Sequence, residues 1–194
     1  KQATELDPQY DEAFYQLGAA QEALKQYAAA GEAWDKLISS APGHRLALPA
    51  RIRAAGAALS DRKFKRALDL CAKVPADAPP AWRSRTMLLS ARAAVGLKRP
   101  AEASATLRQF SAQFPGDPRL VPALFALSRA SELPAPFGLL ATSTSVGTAP
   151  AYRDELRQSA ERFGAGQPVD AQAWQAFASG IDTVAGDYTR PEAF

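Results

Sequence analysis

Few side chains in this 194-residue sequence can do covalent or acid–base chemistry, and those few stand apart. Cys71 is the one cysteine and His44 the one histidine, so no internal disulfide can form, and most zinc sites and histidine relays lack their ligands. His44 follows Pro42-Gly43, a turn signal that puts the imidazole at the surface. Asp154-Glu155 is a carboxylate pair near a helix start, where the macrodipole favours negative charge, and it reads as solvated helix residues. Gly164-Ala165-Gly166 runs into Gln167-Pro168 and not into a helix-opening glycine, so it reads as a turn and not a phosphate loop. No GxxxxGK[ST] loop, GxSxG elbow, HExxH helix or paired-cysteine spacing occurs. The sequence therefore predicts no enzyme: no catalytic residue, no metal site and no cofactor.

The chain is instead material for helices. It is 47% hydrophobic, 22% charged and only 9% aromatic, which suits a packed helical core and sets aside collagen-like, low-complexity and disulfide-scaffold chains. Pro8, Pro42, Pro79 and Pro115 punctuate it at intervals of 34, 37 and 36 residues, the period of a repeated helix pair. Within each interval Gly18, Ala55 and Ala91 precede Ala30, Ala67 and Ala103 by 12 residues, and those precede the closing proline by 12. Small residues at facing positions let two antiparallel helices approach closely. Phe14, Leu17 and Gln21 supply the flanking stripe on the first helix, and Ala30, Trp34 and Leu37 the stripe on the second. Each proline then ends a pair, because the residue before proline avoids helical backbone. Cys71 occupies the repeat position held by Trp34 and Leu107, which predicts a buried, inert thiol.

These residues resemble the tetratricopeptide repeat family, whose aromatic, Leu-Gly, packing Ala, second aromatic and closing Pro stand here as Phe14, Leu17-Gly18, Ala30, Trp34 and Pro42. A second repeat carries Ala54-Ala55, Phe64, Ala67, Cys71, Val74 and Pro79, and a third Ser90-Ala91, Ala103, Leu107, Phe110 and Pro115. The resemblance implies an all-α fold, a right-handed superhelix of antiparallel helix pairs over residues 1–131. Its repeats span about 9–42, 45–79 and 80–115, with a partial repeat at 117–131. Ala3 to Pro8 reads as the tail of an earlier repeat, so the natural protein is expected to continue N-terminally.

Beyond the array, 132–150 reads as a Pro/Ser/Thr loop, 151–186 as a helical cap and 187–194 as a tail. The uncharged stretch from Leu133 to Tyr152 holds three prolines and two glycines, which would break a membrane-spanning helix. In the cap, Tyr152, Leu156, Ala160 and Phe163 form one helical stripe, and Trp174, Phe177, Ile181 and Val184 another that Asp170 caps. Covering the end of the array is the expected role of these helices, with a separate docking element as the competitor.

In the family the first helix of each pair lines a concave groove. Carried onto this chain, that face holds Glu12, Tyr15, Ala19 and Glu22, then Ile52, Gly56 and Leu59, then Arg85, Leu88 and Arg92, with Arg129 beyond. The groove so read is acidic at one end, apolar centrally and cationic at the other, and suits an extended peptide with acidic groups and an apolar centre. Chaperone-tail binders of the family clamp a terminal carboxylate with a Lys and an Asn on the first helix, where this chain has Tyr15 and Ala19, so a chaperone carboxylate is not the implied ligand. A protein-interaction scaffold within a larger bacterial assembly is the leading expectation, in cytoplasm or cell envelope. A targeting arm for a catalytic domain elsewhere is a third reading. The net charge of +3 conceals a polar distribution: residues 1–44 hold three Lys/Arg and seven acids, 45–116 fourteen and four, 117–194 six and nine. The basic middle gives the alternative, an anionic polymer or nucleic acid, although its four aromatics fall mostly at packing positions and disfavour base stacking. Acidic start and basic middle also allow weak head-to-tail self-association.

Overall fold

The computed structural model describes residues 8–114, 117–129, 138–143, 149–163 and 169–185, and the chain divides into two compact units, Lys1–Phe110 and Ser111–Phe194. Ala3 to Asp7, the prolines of the 132–137 stretch, Gly164 to Gly166 and the 187–194 tail lie outside the described residues. Three helix pairs build the first unit: α1 (Pro8–Ala23) with α2 (Tyr27–Ser40), α3 (Ala47–Ser60) with α4 (Phe64–Ala72), and α5 (Pro80–Gly96) with α6 (Pro100–Gln113), whose end passes into the second unit. Each pair is joined by only three residues, which forces its members antiparallel. Ser40 Oγ at the end of α2 donates to the buried Asp11 carboxylate at the start of α1, 3.0 Å away, and so closes the first hairpin at its open end.

The same turn recurs three times. The N–H of Gln26 donates to the Gln21 carbonyl (2.8 Å) while that of Lys25 donates to Glu22 (2.9 Å). Lys63 to Ala58 and Arg62 to Leu59, then Arg99 to Ala94 and Lys98 to Val95, repeat this pair of bonds, which is a Schellman motif. Its geometry requires left-handed backbone, found at Lys25 (φ 59°), Arg62 (φ 57°) and Lys98 (φ 58°). Glycine usually stands there; a side chain with Cβ costs about 1 kcal/mol more.

Packing follows the small-residue spacing. Gly18, Ala30, Ala55, Ala67, Ala91 and Ala103 are all buried. The partner that demands glycine at position 18 is Trp34 and not Ala30, because a Cβ there would lie 2.5 Å from the Trp34 Nε1. Gly96 meets the Phe64 ring in the same way, with Cδ1 2.4 Å from a Cβ placed on it. The core then runs from one hairpin to the next. Ala30, Trp34 and Leu37 of α2 enclose Ala50, Ala54 and Ala57 of α3, and Ile52, Ala55 and Leu59 of α3 pack with Ala67 and Cys71 of α4 and Leu89 and Ala93 of α5. Leu17 departs from its expected place in the stripe and is 47% exposed. It lies with Ala13 and Ala20 on the face of α1 that corresponds to buried Ala50, Ala54 and Ala57 of α3, where α2 provides the cover.

In the second unit α7 (Leu120–Arg129), read from the sequence as opening a fourth repeat, packs with α8 (Ala149–Phe163) and α9 (Ala171–Ala178). The Phe125 ring sits 5.2 Å from Trp174 and 5.4 Å from Phe177. Asp170 caps α9 by accepting from the Ala173 N–H at 2.7 Å. Two strands depart from an all-α chain: β1 (Leu139–Ser143) falls within the stretch read as a loop, and β2 (Ile181–Ala185) takes Ile181 and Val184 out of the helical stripe assigned to them. They pair in parallel, Leu139 opposite Ile181 and Ser143 opposite Ala185. Gly180 ends α9, and β-branched Ile181, Thr183 and Val184 favour extended backbone, a choice that a short apolar run cannot signal by periodicity alone.

Candidate protein-interaction face

Each pair opens with a first helix, α1, α3 or α5, and side chains of α1 and α3 meet around Tyr15. On α1 the half-buried Tyr15 is fixed by its backbone carbonyl, which accepts from the Trp34 indole N–H at 3.2 Å. Arg53 of α3 reaches over it: the guanidinium lies 5.6 Å from the Tyr15 ring and 5.3 Å from the Trp34 ring. It also donates from Nε (3.1 Å) and Nη2 (2.7 Å) to Glu22 Oε2. Desolvation opposes the charged form of Arg53, but hydrogen bonds and charges from Tyr15 and Glu22 outweigh it and raise its pKa. Tyr15 and Glu22 are thus brought together by a cation that the sequence reading passed over. Only its position one residue after Ile52, with an aromatic and an acid on the preceding first helix, could have marked it.

Other expected positions divide. Glu12 is exposed and paired with Arg45. Arg85 and Arg92 are exposed and Leu88 half-buried, on one side of α5 at spacings of three and four residues. Water reaches Arg92, yet desolvation lowers its pKa, as befits a guanidinium crowded by protein on several sides. Gly56 faces open space, with nothing within 4 Å of a Cβ placed there. Ile52 and Leu59, expected on the groove, lie instead in the core at 1% and 7% exposure, packed with Leu89 and Ala93 of the neighbouring first helix. The accessible face of α3 is rotated by about one residue and carries Arg53, Gly56 and Ser60. Arg129 is exposed on α7 and belongs to the second unit.

Cys71 is buried, and desolvation pushes its thiol up to about 11, against a weaker opposing hydrogen bond with Ser90. Because this lies above the 9.0 of an unperturbed thiol, its contribution to stability is complete below pH 9 and is lost as pH rises toward 11. Native Cys71 is expected to alkylate about a hundredfold more slowly than the urea-unfolded chain at pH 8. Equal rates in a timed iodoacetamide reaction would show an accessible thiol. Among the described residues no group of three His, Cys, Asp or Glu could hold a metal ion, and no helix is long and apolar enough to cross a membrane.

Comparison with known proteins gives two family matches. Residues 117–194 match the family described as glucose-6-phosphate dehydrogenase, NAD binding domain. The parallel β1–β2 pair with its helical crossover is the kind of unit such a domain uses. No curated protein and no solved structure matches the chain. Residues 12–44 match the tetratricopeptide repeat family. Within that span stand Gly18 beneath Trp34, buried Ala30 and the Schellman turn, the packing that recurs in the next two helix pairs, and the chain therefore carries a tetratricopeptide-type repeat.

Proposed function

We propose that this chain is a non-enzymatic protein-interaction scaffold, in which the first-helix face of the repeat unit binds a protein or peptide partner in a superhelical groove. The tetratricopeptide-type repeat at 12–44 carries this reading, since stacked helix pairs of this kind expose extended surfaces and no reactive centre. The binding residues assigned to the face are Tyr15, Glu22 with Arg53, Arg85, Leu88 and Arg92. With Ile52 and Leu59 in the core, the apolar centre expected of the ligand is reduced to what Tyr15 and Leu88 contact. Arg85 and Arg92 select acidic groups in the partner.

Affinity capture from a source-cell lysate with the wild type and with Arg85→Glu/Arg92→Glu tests this. A protein held by the wild type is expected to be lost by the variant, whose Tm is measured alongside to separate lost binding from any destabilisation at the crowded Arg92. Identical capture by both would move the binding surface off α5.

A further inference from the structure

The three left-handed turns lie side by side. Tyr27, Ala28 and Gly31 beyond the first turn line one small cleft with Asp61, Lys63 and Arg66 around the second. The Phe64 ring just after the second turn packs on Gly96 just before the third. Directly packed helices stand about 10 Å apart, and α2 packs on α3 as α4 packs on α5, which sets the separation of successive turns on the order of 10 Å. Every turn holds a cation at its left-handed residue: Lys25, Arg62 and Lys98, all exposed. Among the described residues these three and the neighbouring Lys65 form no ion pair, whereas four acids near the turns already have partners. Asp61 pairs with Lys63, Asp35 with Arg66, Glu22 with Arg53 and Glu102 with Arg99.

Left-handed backbone makes glycine the stabilising choice at all three sites, and the chain carries Lys or Arg at each. Strain kept at equivalent positions of successive repeats points to a use for the side chains. We propose that Lys25, Arg62 and Lys98 form a docking edge for an acidic polypeptide segment whose carboxylates recur about every 10 Å, as they do at every seventh residue of a helix. The proposal rests on the reading of the repeat unit as a protein-binding scaffold and adds a second surface to it. A nucleic acid suits the edge less well. Its closely spaced phosphates would also meet the carboxylates of Asp61 and Glu102, next to the second and third turns. The nearby rings of Tyr27 and Phe64 are half-buried and offer no stacking platform.

Fluorescence anisotropy tests the edge with two labelled helical peptides of equal net charge, one with Glu at every seventh position and one with the same Glu residues clustered, and with a single-stranded RNA of matched length. The full chain is compared with Lys25→Gly/Arg62→Gly/Lys98→Gly, a variant that removes the cations while relieving the backbone. The evenly spaced peptide is expected to bind the wild type best and the variant about tenfold more weakly, while the variant's Tm rises. A higher Tm excludes misfolding as the cause of lost binding. Unchanged affinity in the variant, no binding of the spaced peptide to the wild type, or equal or tighter binding of the clustered peptide or the RNA overturns the proposal. Peptide binding lost in Arg85→Glu/Arg92→Glu but kept in the glycine variant would overturn the edge alone and leave the first-helix face standing.

Discussion

Trp34→Ala is expected to lower the stability of the first unit by about 3–5 kcal/mol, a large share of what a domain of this size has to lose. Trp34 is fully buried, and three separate interactions end with it. The indole fills the space over Gly18 and joins the first pair to α3 through Ala50, Ala54 and Ala57. Its N–H satisfies the Tyr15 carbonyl, and its ring faces the Arg53 guanidinium that also holds Glu22. Truncation leaves a cavity, removes the indole hydrogen bond that the Tyr15 carbonyl accepts besides its helix bond, and loosens the cation at the proposed face. Urea unfolding followed by exposure of Cys71 isolates the effect, because that thiol is buried within the same unit. A cost below about 1 kcal/mol would mean that the hairpin repacks around the missing ring.

Gly18→Ala is expected to cost about 1–3 kcal/mol, although alanine is the better helix former, because the added methyl would lie 2.5–2.8 Å from three atoms of the Trp34 ring. A rigid, buried ring tied by its N–H cannot give way as the end of a flexible chain would. Gly96→Ala meets Phe64 equally closely, but Phe64 is only half-buried at a turn and can swing outward, so a smaller loss is expected there. Gly56→Ala is the control. It faces open space inside α3 and should stabilise by about 0.5–1 kcal/mol. Combining Gly18→Ala with Trp34→Leu should cost less than the sum of the two, since the smaller side chain makes room for the methyl. Strict additivity in denaturant midpoints would show that the two residues do not share one packing site.

Much of the first unit was legible in the residues themselves. Period and proline punctuation placed the pairs, and the 12-residue spacing picked out six positions that are all buried. Such features are local: a helix pair closes over a three-residue turn, and its packing stripe recurs with the helical repeat. Asp170 was legible for the same reason, since a cap acts within one turn of its own helix.

What tertiary structure decided was depth and partnership. Tyr15, Ile52 and Leu88 share one repeat position, yet Ile52 is sealed by Leu89 and Ala93 while the other two remain partly open. No pattern within α3 distinguishes these outcomes, because they depend on the size of residues one helix away. The stripe 174, 177, 181 is consistent with a helix until Gly180 ends it and β1, some 40 residues earlier, offers a parallel edge for Ile181 to Ala185. Sequence alone thus determined the repeating hairpin, whose interactions lie within one period. The fold alone decided which side of α3 faces outward and where the strands pair, since each depends on residues that chain separation keeps apart until packing brings them together.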